Sequence, residues 1–157
     1  MITNWPLLYS RCVELARLAH YNQKRWDGED YVKHPLRVAA SFPNEPEFYT
    51  RILTALLHDV VEDNPTISFN RLRELDIPEE VVAAVDALTH RDGDTYAEYL
   101  EKLAVNPIAV DVKLADIKDN CEPLPINSQR RQKYEVARLY LQHVKGCKVG
   151  APLPWQT

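Results

Sequence analysis

The chain has 157 residues, 45% of them hydrophobic and 27% charged, which is enough for one domain with a sizeable core and ordinary for a globular protein. A net charge of −4 and a pI near 5.7 argue against a broad nucleic-acid or anionic-membrane surface. No apolar run approaches the roughly 20 residues that span a bilayer, the start MITNWPLLYSRC lacks the basic-then-apolar order of a secretion signal, and three cysteines without a CxxC pair point to a reducing cytoplasm.

Leu8, Cys12, Leu15, Ala16 and Ala19 recur at helical spacing and predict a first helix over 7–23. Asp27-Gly28 marks a turn. A second helix runs from about Asp30 to Ser41, burying Val32, Leu36, Val38 and Ala39, with Pro35 in its first turn. After the breaker PNEPE a third helix spans 46–63 in one piece, ended by Asn64-Pro65. Ser68 caps a short helix to Leu75, and Pro78-Glu79-Glu80 opens another to Leu88 with acids in its first turn. HRDGD is a polar loop, Thr95 to Val105 is amphipathic, and Asn106-Pro107 opens a helix to Cys121. Ser128 caps the last helix, to Lys145, which Gly146 stops. The tail VGAPLPWQT is irregular. Alternating β-branched runs are missing, so the expected fold is a single all-α domain over 1–157, a bundle of roughly seven to nine helices. The exposed helix faces show no dominant apolar stripe, which leaves the oligomeric state open.

Polar residues interrupt three of these apolar helices. LLHDVVED carries His58, Asp59, Glu62 and Asp63 beside the core residues Ile52, Leu53, Leu56, Leu57 and Val60. On a helix His58 stacks over Glu62 and Asp59 over Asp63. Taken alone this is as readily a solvated helix end. IAVDVKLADIKDN places Asp111, Lys113, Asp116 and Asn120 among Ile108, Val110, Val112, Leu114 and Ile117, and His34 opens an apolar helix in DYVKHPLRVAA. One such residue is usually a satisfied core group or a cap, whereas three on separate helices suggest one site. Two imidazoles and two carboxylates suit a divalent ion such as Mn2+, Fe2+, Ni2+ or Zn2+, whose charge offsets the acids.

The order H…HD…D made by His34, His58-Asp59 and Asp116, within the words AHYNQKRWDGEDYVKHPLRVA, ALLHDVVEDN, VVAAVDALTH and VKLADIKDN, resembles the HD phosphohydrolases. It is similar in particular to the hydrolase domain of the RelA/SpoT enzymes and the small stand-alone alarmone hydrolases of the metazoan SpoT-homologue kind. The resemblance covers roughly residues 8 to 140. It implies an all-α HD domain holding one Mn2+ per chain and removing the 3′-pyrophosphate of ppGpp or pppGpp. Carried over by motif, His34, His58, Asp59 and Asp116 are the metal ligands, and Glu62 and Asp63 position or activate the attacking water. Arg25 lies near the nucleotide, Tyr31 opens the YxxHP word, and Asn120 contacts substrate. Lys113, Arg91 and Lys24 are further cations that could offset phosphate charge, Lys24 reading as surface. His20 belongs behind Arg25, His90 in a loop, and His143 on the exposed side of the last helix.

The chain departs from the family wording in three places that bear on the purine and phosphate contacts. Trp26 stands where a second basic residue often follows the arginine, the loop SFPNEPEF after the second helix is short, and the last word reads Ala-Asp-Ile-Lys-Asp-Asn rather than the common Asp-Arg-Leu-His-Asn. Three readings of function therefore compete: an alarmone hydrolase without a synthetase domain, an HD phosphatase acting on NADPH or another nucleotide, and a binding protein that uses the pocket without turnover. Intact Glu62-Asp63 favours an enzyme, since a binder has no evident need of a base. A small nucleotide is the expected partner, with no nucleic acid and no membrane.

Overall fold

The computed structural model describes residues 2–147. The tail expected to be irregular begins beyond them. Among the described residues the elements are α1 (Trp5–Ala19), α2 (Lys33–Ala40), α3 (Tyr49–Leu57), α4 (Val60–Asp63), α5 (Phe69–Glu74), α6 (Glu79–Leu88), α7 (Tyr96–Leu103), α8 (Pro107–Cys121) and α9 (Gln129–Gly146). A 3-10 turn, Pro46–Phe48, leads into α3. No strand forms among them beyond one isolated antiparallel bridge between Lys24 and Asp30.

Local chemistry explains where most helices start. Ser68, Asn106 and Ser128 accept the backbone N–H of Arg71, Ala109 and Arg131. Thr95 and Glu98 form a reciprocal capping box. Such caps contribute about 1 kcal/mol each.

Three expected helices are shorter than predicted, and the second of them, expected from about Asp30 to Ser41, spans only Lys33–Ala40. The first ends at Ala19 because the chain turns through Asn22, whose φ of 59° lies in the left-handed region that asparagine tolerates. The segment 46–63 is not one helix. It breaks at His58-Asp59, where Asp59 sits at φ −106°, ψ −1°, in the bridge region between helix and strand.

The broken helix is the centre of the molecule. Every residue from Ile52 to Leu57 is buried, as expected of a helix surrounded on all sides. It packs against α1, α2, α6 and α8, and α8 packs on α9. Burying Leu53, Leu56 and Leu57 completely contributes ~1.5–3 kcal/mol each. On the outer face of α9 Val136 and Leu139 are exposed, and Val136 lines a groove with Tyr96, Leu100 and Ala137.

Asp111 ties α8 to its neighbours. Its carboxylate accepts from Arg51 Nε of α3 at 2.6 Å and meets Lys145 Nζ of α9 at 2.7 Å. Burial alone would raise this carboxyl, but the bonds from Lys145 and Arg51 outweigh it and hold it below the usual value. A depressed folded pKa means stability that is present above the unfolded value and lost as pH falls through the folded one. Asp111→Asn is therefore expected to cost ~1 kcal/mol at neutral pH. Urea denaturation should find the gap between variant and parent closing below about pH 4, the ordinary Asp range. A gap independent of pH would refute the ionic account.

Candidate metal centre and adjoining cavity

Four elements meet at one point. α2 delivers His34, the turn between α3 and α4 delivers His58 and Asp59, and α8 delivers Asp116. The break after Leu57 is what turns His58 and Asp59 to the same place. His34, His58 and Asp116 are buried, at 1%, 2% and 3% exposure. His34, His58 and Asp59 each offer one ligand atom, all within 4.8 Å of one another. Asp116 Oδ1 lies 2.9 Å from His34 Nε2 and 3.6 Å from His58 Nε2, and Asp59 Oδ2 lies 3.0 Å from His58 Nε2.

The far side of each imidazole decides what the near side can do. His34 Nδ1 is 2.7 Å from Asp119 Oδ2, and His58 Nδ1 is 2.6 Å from the carbonyl of Ala55. A carboxylate and a carbonyl only accept, so both Nδ1 atoms carry protons. In the neutral rings both Nε2 atoms then present a lone pair to the common point. Both are buried, and their short contacts with the carboxylates lack hydrogen-bond alignment. Two orphaned ring nitrogens facing two carboxylates fit a divalent ion bound through nitrogen and oxygen.

The electrostatics agree. Burial opposes charge on both histidines, yet Asp116 and Asp119 raise His34, and Asp59 with Asp116 raises His58 well above the imidazole range. Burial would likewise raise Asp116, but Lys113 and the two histidines hold it far below. A negative field that gathers protons onto imidazoles also favours a cation.

Other expected residues stand around this point. Tyr31 donates to Asp59 Oδ2 at 2.6 Å. Lys113 and Asn120 donate to Asp116 at 2.8 and 2.7 Å. Arg25 donates to Asn120 Oδ1 at 3.1 Å and Asp119 Oδ2 at 3.0 Å. Glu62 receives the backbone N–H of His90 at 3.5 Å. Asp63 receives Gln23 Nε2 at 2.9 Å, and Gln23 Oε1 accepts from His20 Nδ1 at 2.9 Å. His20 thus backs Asp63, not Arg25 as expected from sequence. Burial first, and then the charge of Asp59, holds Glu62 above the usual carboxylate range; the same two effects raise Asp63 against the bond from Gln23.

Arg91 is placed differently. It pairs with Asp86, stacks 5.2 Å from the Phe69 ring centroid, and lines a separate cavity with Thr89, Asp94 and Lys102. His143 is exposed on α9, as expected.

Beside the convergence point lies a cavity of about 610 Å³. Tyr31, Arg25 and Asn120 line it and connect it to the candidate ligands. Lys24 and Trp26 line it as well, as do Gln129, Arg130, Lys133 and Tyr134 of α9. Trp26 is 59% exposed. The α9 residues escaped the sequence reading, which used this stretch only for its cap, although QRRQK at a helix start was a visible basic signal. Asp119 and Arg37 were missed as well; each lies one helical turn past a named residue, Asp116 or His34.

A helical domain in which a His-Asp turn meets a histidine and an aspartate from two other helices is an HD domain. No protein-family model matches the chain. The guanosine-3′,5′-bis(diphosphate) 3′-pyrophosphohydrolase of Aquifex aeolicus is 30% identical over 131 residues, 78% of this chain and 18% of that protein. The bifunctional (p)ppGpp synthase/hydrolase SpoT of Escherichia coli is 32% identical over 139 residues, 80% of this chain and 20% of that protein. A solved structure described as a metazoan ortholog of SpoT that hydrolyzes ppGpp superposes with a TM-score of 0.68 at 26% identity, covering 90% of this chain and 88% of that one. The chain belongs to the HD domains of the RelA/SpoT hydrolase type. It spans about a fifth of the length of the curated relatives it matches.

Proposed function

We propose that the chain, acting as one domain over residues 1–157, is a Mn2+-dependent 3′-pyrophosphohydrolase that converts ppGpp to GDP and pyrophosphate. The observation that carries this reading is the pair of orphaned Nε2 atoms converging with Asp59 and Asp116 beside a cavity lined by Lys24, Arg25, Arg130 and Lys133. The activities of the relatives point to the nucleotide.

His34, His58, Asp59 and Asp116 would hold the metal, which when bound polarises a phosphoryl oxygen and acidifies water. Tyr31 and Asn120 orient Asp59 and Asp116 through their hydrogen bonds. Arg25, Arg130 and Lys133 offset phosphate charge, and Trp26 offers the base a stacking face. Glu62 or Asp63 accepts a proton from the attacking water. The water oxygen ends on pyrophosphate, and the 3′-oxygen leaves with the nucleotide and takes up a proton. The free thiols Cys12, Cys121 and Cys147 support a reducing, cytoplasmic setting, and no described helix is long and apolar enough to cross a membrane.

The test is a panel of ppGpp, pppGpp, NADPH and simple nucleotides with added Mn2+. Pyrophosphate should appear from ppGpp faster than phosphate from NADPH. NADPH cleaved far faster than ppGpp would leave the chemistry standing and overturn the substrate. Stoichiometric nucleotide binding with no product would overturn the enzyme.

A further inference from the structure

Asp119 lies outside the candidate ligand set, yet it organises the site. One carboxylate accepts from His34 Nδ1 at 2.7 Å, from Arg25 at 3.0 Å, and from Arg37 Nε at 2.7 Å. Arg37 is held in turn by two bonds to Glu29, at 2.8 and 2.9 Å. The carbonyl of Glu29 accepts the backbone N–H of Arg25 at 2.8 Å. The loop that carries Arg25, the helix that carries His34 and α8 are thereby joined through one anion. Its neighbour Asn120 accepts from Arg25 and donates to Asp116. Two successive residues of α8 thus couple the rim of the cavity to two candidate ligands, His34 and Asp116.

We propose that Asp119 is a positioning residue with two tasks: it keeps the proton of His34 on Nδ1, so that Nε2 faces the metal, and it fixes Arg25 at the edge of the nucleotide cavity. This rests on the metal reading given above. Removing the acceptor frees the ring of His34 to rotate or to change tautomer. Removing only the charge leaves Oδ2 as an acceptor for His34 and weakens the ion pair that holds Arg25 to the same oxygen.

The test uses the full chain and titrates Mn2+ alone by calorimetry, then measures ppGpp kinetics at saturating Mn2+. Asp119→Ala should bind Mn2+ ~10–100-fold more weakly, the usual cost of losing a partner behind a metal-bound histidine. Asp119→Leu, which keeps volume but has no acceptor, gives the same reading if the alanine variant does not fold. Asp119→Asn should keep its Mn2+ affinity and show a raised KM with kcat little changed, a split that general loss of stability does not produce. If the unaltered protein binds no Mn2+, the metal reading falls and this proposal with it. If it binds Mn2+ and the alanine or leucine variant binds equally well, the positioning role alone is overturned. An unchanged KM in Asp119→Asn overturns the link to Arg25.

Discussion

Glu62→Gln and Asp63→Asn, each saturated with Mn2+, are expected to lose roughly a hundredfold or more in kcat, the usual size of a general-base contribution. Both substitutions keep the side-chain volume and remove the ability to take a proton. Neither residue belongs to the candidate ligand set, so Mn2+ affinity should change little. Asp63 is the better oriented of the two, because Gln23 holds one of its oxygens and His20 fixes the amide of Gln23. Glu62 has a single long contact, 3.5 Å, to the backbone of His90. The raised pKa of each carboxyl gives a stronger base once ionised. Steady-state kinetics alongside calorimetric Mn2+ titration separate the two roles, and near-normal turnover in both variants would remove them from the mechanism.

Asp116→Asn should do more damage, because that carboxylate serves three purposes. It faces both imidazoles, accepts from Asn120, and balances the largely buried ammonium of Lys113. Losing a direct ligand should weaken Mn2+ binding by at least the ~10–100-fold seen for outer-sphere partners. Leaving Lys113 without its anion should also cost ~3–5 kcal/mol, as when one partner of a buried pair is removed. Chelator-treated parent protein should lose activity and regain it on adding Mn2+. The variant should not regain it, and should melt at lower temperature even without metal. A variant that binds Mn2+ and turns over like the parent would exclude Asp116 as a ligand.

How much of this was legible beforehand follows the range of the interactions. Ser68, Asn106 and Ser128 announced helix starts because a cap bonds to an amide only three residues on. His34, His58, Asp59 and Asp116 stood out because acids and imidazoles are costly inside apolar helices unless something offsets them. The turn at His58-Asp59 was not legible, since LLHDVVED is compatible with continuous helix, whereas α3 ends at Leu57. Across that turn Asp63 still donates its backbone N–H to the Asp59 carbonyl at 2.9 Å.

The helical class, most helix boundaries and the need of certain polar side chains for a partner all depend on residues a few positions apart. The identity of the partners depends on how distant segments pack. Asp119 meets His34 across 85 positions and Arg25 across 94, Gln23 meets Asp63 across 40, and Arg91 turns to Asp86 while Arg130 and Lys133 line the cavity with Arg25. Periodicity states which face of a helix is buried; it carries no information about which other helix covers that face, and the chemistry of this site lies in those pairings.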